Sequence, residues 1–316
     1  MKNMVEVIPT ERRSAVLSPS SLACLANIPA INLTSGCAHN CLYCYARGYS
    51  TYPGEGKVIV YENILDNLKK ELNGKRSKPQ VIYFSPSCDM FQPIPEVLKL
   101  GYSILEFLFS KGIGVAFLTK GHVPDKTLEL LLGHADKVRV QIGIITPHDN
   151  IRRIFEPNAA SIDIRLQLMK RMVAGGIDVE ARLMPILPGI TDTTDSLDSL
   201  FRAIADAGVK RAAISTLFLR PVIAESLRRS VPDKRLVKIL LDLYRDSERI
   251  AVHAEHSSII PLPRLRRENI YNRVRQVAMK HGIDVYICGC MNPDIGGTCN
   301  IIGNWFLHYT QPSLFD

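Results

Sequence analysis

Between residues 30 and 217, short apolar runs alternate with stretches whose apolar residues recur every three or four positions. The first pattern reads as buried strand and the second as amphipathic helix. Strand-like segments fall at 30–33, 81–84, 114–119, 138–145, 179–184 and 212–217. Segments 62–72, 95–110, 126–132, 162–173 and 195–207 read as helices. Gly175 and Gly176 close one of them and Gly208 stands at the C-cap of another. Six β–α units predict an α/β fold, a parallel, barrel-like sheet. In such sheets the active site lies at the C-terminal ends of the strands. A cysteine-bearing loop after residue 33, the segment 85–89, Lys120 and the segment 185–189 all fall at those ends.

After Arg220 the pattern changes. Segments 234–250 and 264–280 read as helices and 284–287 as a strand. The chain is therefore expected to divide into an N-terminal arm (1–29), a core barrel (30–220) and a C-terminal extension (221–316). The arm is either mobile or laid over the barrel. No internal repeat or low-complexity segment interrupts this order.

The 316 residues contain no apolar run long enough to cross a bilayer. The start, MKNMVEVIPTERRS, lacks the apolar stretch of a secretion signal, so the default expectation is cytoplasmic, where thiols stay reduced. Eight cysteines at short spacings then favour metal over disulfides. The net charge of +8 fits an anionic partner such as nucleic acid, and equally an ordinary excess of surface lysine and arginine.

Cys37, Cys41 and Cys44 form a C-x3-C-x2-C run, with Tyr43 before the last cysteine. Three thiolates on one loop suit an iron–sulfur cube in which one iron keeps no protein ligand. An open iron can hold a small molecule and pass it an electron, whereas structural zinc usually wants four closed ligands. A second group, CGCMNPDIGGTC, sets Cys288, Cys290 and Cys299 in a C-x-C-x8-C arrangement. It reads as an auxiliary [4Fe–4S] cluster, with a fourth ligand from Cys24, from a histidine such as His308, or from substrate. The alternatives are a zinc site or unpaired cysteines. Arg264, Arg266, Arg267, Arg273 and Arg275 lie on one predicted helix, either as a phosphate-contacting face or as a solvated one. His253, Glu255 and His256 make a polar group that is either structural or laid over the barrel mouth.

The segment GCAHNCLYCYARG resembles the radical S-adenosylmethionine (radical SAM) superfamily, and within it the spore photoproduct lyase-like branch. CLYCYARG, SCDMFQPIPE, FLTKGH, IFEP with an arginine-bearing helix after it, and MPILPGITD follow in the family's order over roughly residues 30–220. The resemblance implies a partial (β/α)6 TIM-like barrel. It implies a [4Fe–4S] cluster on Cys37, Cys41 and Cys44, with S-adenosyl-L-methionine chelating the open iron. One electron, from a donor such as flavodoxin or ferredoxin, would cleave the cofactor to a 5′-deoxyadenosyl radical that abstracts hydrogen from an organic substrate. Tyr43 would lie against the adenine. Tyr43 and Tyr45 match the tyrosines that flank the last cysteine in the lyases, where one or both relay a hydrogen atom. Lys120 matches the lysine that touches the cofactor. Gln141 stands where the lyases have a cofactor-contacting serine. Ser85, Ser87 and Asp89 replace the usual Gly-Gly-Glu amine site. The lyases' hydrogen-donating cysteine aligns with Pro86, and Cys88 lies two residues on.

Three functions follow from this reading. The chain is a radical SAM enzyme of nucleic-acid repair or modification. Alternatively, it is a radical SAM enzyme acting on a small molecule or peptide, with an auxiliary cluster. In a third reading it is a non-catalytic iron–sulfur protein that senses or binds, against which intact Cys37, Cys41, Cys44 and Lys120 argue.

Overall fold

A computed structural model of the chain describes residues 5–19, 23–25, 28–252, 258–298 and 301. In chain order its elements are β1 (Glu6–Thr10), β2 (Ala30–Ile31), β3 (Thr34–Ser35), β4 (Lys57–Tyr61), α1 (Ile64–Asn73), β5 (Val81–Phe84), α2 (Pro95–Ser110), β6 (Gly114–Thr119), α3 (Asp125–Leu132), β7 (Val138–Gly143), α4 (Asp149–Phe155) and α5 (Ile162–Ala174). There follow β8 (Asp178–Ile186), α6 (Thr194–Asp206), β9 (Arg211–Thr216), α7 (Pro221–Ser230), α8 (Lys234–Asp242), β10 (Ile250–Ala251), β11 (Ser258–Ile259), α9 (Arg264–Lys280) and β12 (Asp284–Ile287).

The main sheet has seven strands in the order β12-β9-β8-β7-β6-β5-β2, every neighbouring pair parallel. This is the expected partial barrel, with β12 added beyond β9. Parallel strands are covered on both faces, which is why β5 and β6 read as near-continuous apolar runs. Ile82, Phe84, Val115, Phe117, Val140, Ile142, Leu183 and Ile214 pack into the large core shared with the helices. The opposite face carries Tyr83, Ala116, Arg139, Gln141, Glu180, Arg182 and Ala213, aligned by register from strand to strand. The period of two along each strand thus separates an apolar outside from a small and polar inside.

Four inner-face side chains satisfy one another. Gln141 Nε2 donates to Glu180 Oε1 at 2.5 Å, and Arg182 donates to Gln141 Oε1 at 2.6 Å. Arg139 pairs with Glu180 at 3.2 Å. Glu180 is fully buried, a position that a carboxylate holds only when paired.

Several predicted segments change in the structure. The first part of the chain contributes β1, which pairs in parallel with β4, itself antiparallel to β3. The helix expected over 234–250 ends at Asp242. The Tyr244 hydroxyl donates to the Leu217 carbonyl at 2.5 Å, drawing the chain back to the end of β9, and residue 250 enters the short β10–β11 pair. β8 is longer than expected and shifts register against β9 between Leu183 and Ile186. Such a bulge re-aims side chains at a strand end. Arg267 does not share the solvated face of α9. It is buried, donates to Asn292 at 2.9 Å and to Asp294 at 3.0 Å, and fixes the loop after β12. Arg264, Arg266, Arg273 and Arg275 are exposed on the same helix, and Arg264 pairs with Glu268 and Arg273 with Asp192.

Candidate active site

One cavity opens at the C-terminal ends of β5, β6, β8 and β9. The space between its walls, counted with the part open to solvent, is about 1390 Å³. Cys37, Cys41 and Cys44 line it on one side, and Ser85, Ser87, Cys88, Asp89 and Lys120 on another, with Tyr43 and Tyr45 also on the wall.

The cysteine loop is clamped by groups other than its thiols. Gln92 Oε1 accepts from Ala38 N at 2.8 Å, and Asn158 Nδ2 donates to Ala38 O at 2.9 Å. The Phe155 carbonyl accepts from Leu42 N at 2.9 Å. Arg47 donates to Cys41 O at 3.1 Å and to Asn40 Oδ1 at 2.5 Å. Asn40, between the first two cysteines, sits at φ 54°, a left-handed turn that asparagine tolerates better than most residues. The Tyr43 hydroxyl donates to Glu156, which pairs with Arg165 at 2.6 Å, both fully buried. The IFEP motif and the arginine of α5 therefore act as a buttress behind the loop. Burial, then the Glu156 charge, pushes the Cys41 thiol up to about 12. Burial, then Asp89, raises Cys37 as well.

Asp89 lines the cavity, yet its carboxylate accepts from Phe91 N, Lys120 N, Thr119 Oγ1 and His39 Nε2, all between 2.8 and 3.1 Å. His39 and those donors hold it ionised against the cost of burial. This makes Asp89 an organiser that ties the cysteine loop to the end of β6. Ser85 differs. It holds φ 57°, strained for a residue with a Cβ, and its buried Oγ meets the Cys88 thiol without completing a regular hydrogen bond. Ser87 gives its N and Oγ to Asn32 Oδ1, and the Cys88 thiol reaches the same oxygen at 3.7 Å. Lys120 Nζ stands 5.8 Å from the centre of the Tyr43 ring. Its stem crosses Gly143, where a Cβ would approach Lys120 Cγ to 2.8 Å. Gln141 lies off the cavity wall, between Glu180 and Arg182, and Arg182 is the member of that ladder that reaches the cavity.

The residues fit a three-thiolate cluster and an adenosyl cofactor. Three thiols share one wall, an incompletely bonded buried hydroxyl faces in, and a lysine reaches across the tyrosine next to the third cysteine. Among the described residues no three His, Cys, Asp or Glu side chains are gathered around a single point.

Residues 31–204 match the model of the radical SAM superfamily. The chain belongs to the radical SAM superfamily. Relatives within reach of sequence comparison include the uncharacterized protein Rv2578c of Mycobacterium tuberculosis, 28% identical over 66% of this chain and 64% of its own length. The uncharacterized protein MJ0683 of Methanocaldococcus jannaschii is 28% identical over 61% of this chain and 72% of its own length. The spore photoproduct lyase of a Geobacillus species is 26% identical over half of this chain and 45% of its own length. The radical SAM fold here is similar to a solved spore photoproduct lyase mutant with bound AdoMet and dinucleoside spore photoproduct. The TM-score is 0.68 at 18% identity, over 88% of this chain and 81% of that one. Among the described residues no helix is long and apolar enough to cross a membrane.

Sequence reasoning singled out Cys37, Cys41, Cys44, Ser85, Ser87, Cys88, Asp89, Lys120 and both tyrosines, and the structure brings these to one cavity. It missed His39, Gln92, Asn158, Arg182 and the Glu156–Arg165 pair. Gln92 and Glu156 stand inside quoted motifs, so the motifs carried the signal without the roles. Cys288 and Cys290 are buried against the inner face of the barrel. Cys299, His253, Glu255, His256 and His308 lie outside the described residues.

Proposed function

We propose that this protein reductively cleaves S-adenosyl-L-methionine and abstracts hydrogen from a nucleic-acid substrate in repair or modification. The observation that carries this reading is the meeting of Cys37, Cys41, Cys44, Lys120, Ser85 and Cys88 around one cavity. Cys37, Cys41 and Cys44 hold a [4Fe–4S] cluster. Ser85 and Ser87 bind the amine end of the cofactor, Lys120 its carboxylate or ribose, and Tyr43 flanks the adenine. When bound, the reduced cluster and the cofactor supply a 5′-deoxyadenosyl radical that takes a hydrogen atom from the substrate.

The chain's own residues then orient, exclude water and handle hydrogen. A hydrogen-atom donor must carry its hydrogen, and burial raises both the Tyr45 phenol and the Cys88 thiol, which keeps them protonated. The Tyr45 hydroxyl donates to the Pro86 carbonyl, two residues from Cys88. Tyr45 and Cys88 are the two hydrogen donors we assign on the cavity wall. The net charge of +8 and the dinucleoside bound by the solved relative support a nucleic-acid substrate.

A second reading, a small-molecule or peptide substrate, is favoured by Pro86 at the lyases' donor position and by the C-terminal cysteines. The deciding experiment is anaerobic reconstitution with iron and sulfide, reduction with dithionite and chromatography for 5′-deoxyadenosine. Formation of that product is expected. Absence of both product and cofactor binding would sink both readings. Product formation stimulated by single-stranded or lesion-bearing DNA separates the first from the second.

A further inference from the structure

The large core of the molecule lies between the sheet and its helices. A second, smaller apolar cluster sits on the inner face of the barrel: Ala30, Val81, Tyr83, Ala116 and Ala213 from the strands, with Leu25, Ile28 and Ile301. Into this cluster come Cys288 and Cys290 from the end of β12, and Cys24 from the helical turn Ala23–Leu25. These cysteines are more than 260 positions apart in the chain. Met184 and Met291 pack against the same cluster.

A buried cysteine is ordinarily a small hydrophobe. Here the backbone around Cys288 and Cys290 is built with unusual closeness. A Cβ on Gly289 would lie 2.3 Å from Gly297 O, and one on Gly297 would lie 2.4 Å from Ile287 O. Gly297 also holds φ 125°, open only to glycine. The loop folds back on itself over the two cysteines. It is fixed from outside by polar groups: Asn292 Nδ2 donates to Cys288 O at 2.8 Å, and Asn292 Oδ1 accepts from Arg267 at 2.9 Å and from Tyr271 at 2.8 Å. Hydrogen-bonded outer partners of this kind orient the ligands of metal sites. Leu25 and Met291, the chain neighbours of Cys24 and Cys290, line the active-site cavity, so the sulfur cluster borders it.

We infer that Cys24, Cys288 and Cys290 are ligands of a second iron–sulfur cluster, set in the barrel interior beside the substrate cavity. Its thiolates come from both ends of the barrel core, and Cys24 completes what the C-terminal loop begins. Like Cys37, Cys41 and Cys44, these three do not converge on one point as the ligands of a single ion would. A cube, whose irons occupy separate corners, asks for no such convergence. The inference rests on the chain being a radical SAM protein only for its functional setting; the site itself stands on its own residues.

The test is an iron, sulfide and zinc count after anaerobic reconstitution, with electron paramagnetic resonance of the dithionite-reduced protein. The wild type is expected to hold about eight irons and two overlapping cluster signals, and a Cys37→Ala/Cys41→Ala/Cys44→Ala variant about four. Cys24→Ala and Cys288→Ala/Cys290→Ala should each lose the second half of the iron and its signal. About four irons with one signal in the wild type, none in the triple variant, or zinc in place of the second iron set would overturn the inference. A Cys24→Ala variant with wild-type iron would remove Cys24 from the site. The wild-type count and spectrum decide the matter even if a variant fails to fold. A Cys288→Ala/Cys290→Ala protein that keeps about four irons yet yields no 5′-deoxyadenosine, when the wild type yields none either, marks failure of the main reading instead.

Discussion

The two cysteine regions are built on opposite plans. Cys37, Cys41 and Cys44 lie within eight residues, on a loop at the strand ends, and that loop is pinned by polar and charged groups: Gln92, Asn158, Arg47 and the Glu156–Arg165 pair. Cys24, Cys288 and Cys290 come from distant parts of the chain and sit in apolar surroundings, with their polar support outside the cluster, through Asn292 and Arg267. A local motif carries its own ligands and borrows its rigidity. A dispersed group of side chains is brought together only by the fold. The first is therefore visible to sequence comparison, and the second depends on the barrel having closed.

The largest effect that would separate the regions is chemical. Cys37→Ala/Cys41→Ala/Cys44→Ala is expected to abolish 5′-deoxyadenosine formation while far-ultraviolet circular dichroism stays at the wild-type level. The substitutions remove only the thiols and keep Ala38, Leu42 and Tyr43, through which the loop packs into the core. Loss of the circular dichroism signal would show the loop to be part of the folding core.

Next comes the buttress. Glu156→Gln leaves the Arg165 charge buried without its carboxylate and weakens the anchor of Tyr43. Breaking a buried ion pair from one side costs about 3–5 kcal/mol, and a urea titration should show a loss of that size. A shift below 1 kcal/mol would mean that the pair is bridged by other groups and that the loop is held elsewhere.

The counterpart in the second region is Gly289→Ala. The added carbon meets the Gly297 carbonyl at 2.3 Å, backbone against backbone, so the loop must move. Overpacking of this kind costs about 1–3 kcal/mol. The melting temperature should fall while cofactor binding, measured by equilibrium dialysis, is unchanged. A parallel loss of cofactor binding would join the two regions into one.

The smallest expected effect is at Arg266, exposed on α9. Arg266→Ala should change stability by less than about 0.5 kcal/mol, whereas Arg267→Met, which removes the anchor of Asn292 and Asp294, should exceed it in the same melt. Equal melts would show that the loop after β12 does not need Arg267.

The contrast between these neighbours bears on how much was legible in the chain. The strands of the barrel read directly because parallel strands buried on both faces show as unbroken apolar runs, as in Val81–Phe84. β1, β3 and β4 did not: two of them are short or largely exposed, and their pairing joins residues 6–10 to 57–61. The helix over 234–250 was overextended because its apolar period continues through Tyr244, while the contact of that side chain with Leu217 turns the chain away. At the site, residue types pointed to the candidate ligands, but the surroundings of each side chain depended on partners far along the chain. Asp89 reads as an amine ligand until His39, Thr119 and the Lys120 amide are found around it. Gln141 reads as a cofactor contact until Glu180 and Arg182 bracket it. Arg267 and Arg266 are indistinguishable as letters and opposite in the fold.

The clamps on the cysteine loop have a practical meaning for handling the protein in air. Gln92, Asn158, Arg47 and Glu156 hold the loop through its backbone and through Tyr43, and none of them is one of the three thiol groups. A cluster held by this loop, as proposed above, would leave these clamps in place when it is lost. On that reading, aerobically purified protein should accept iron and sulfide without passing through an unfolded state.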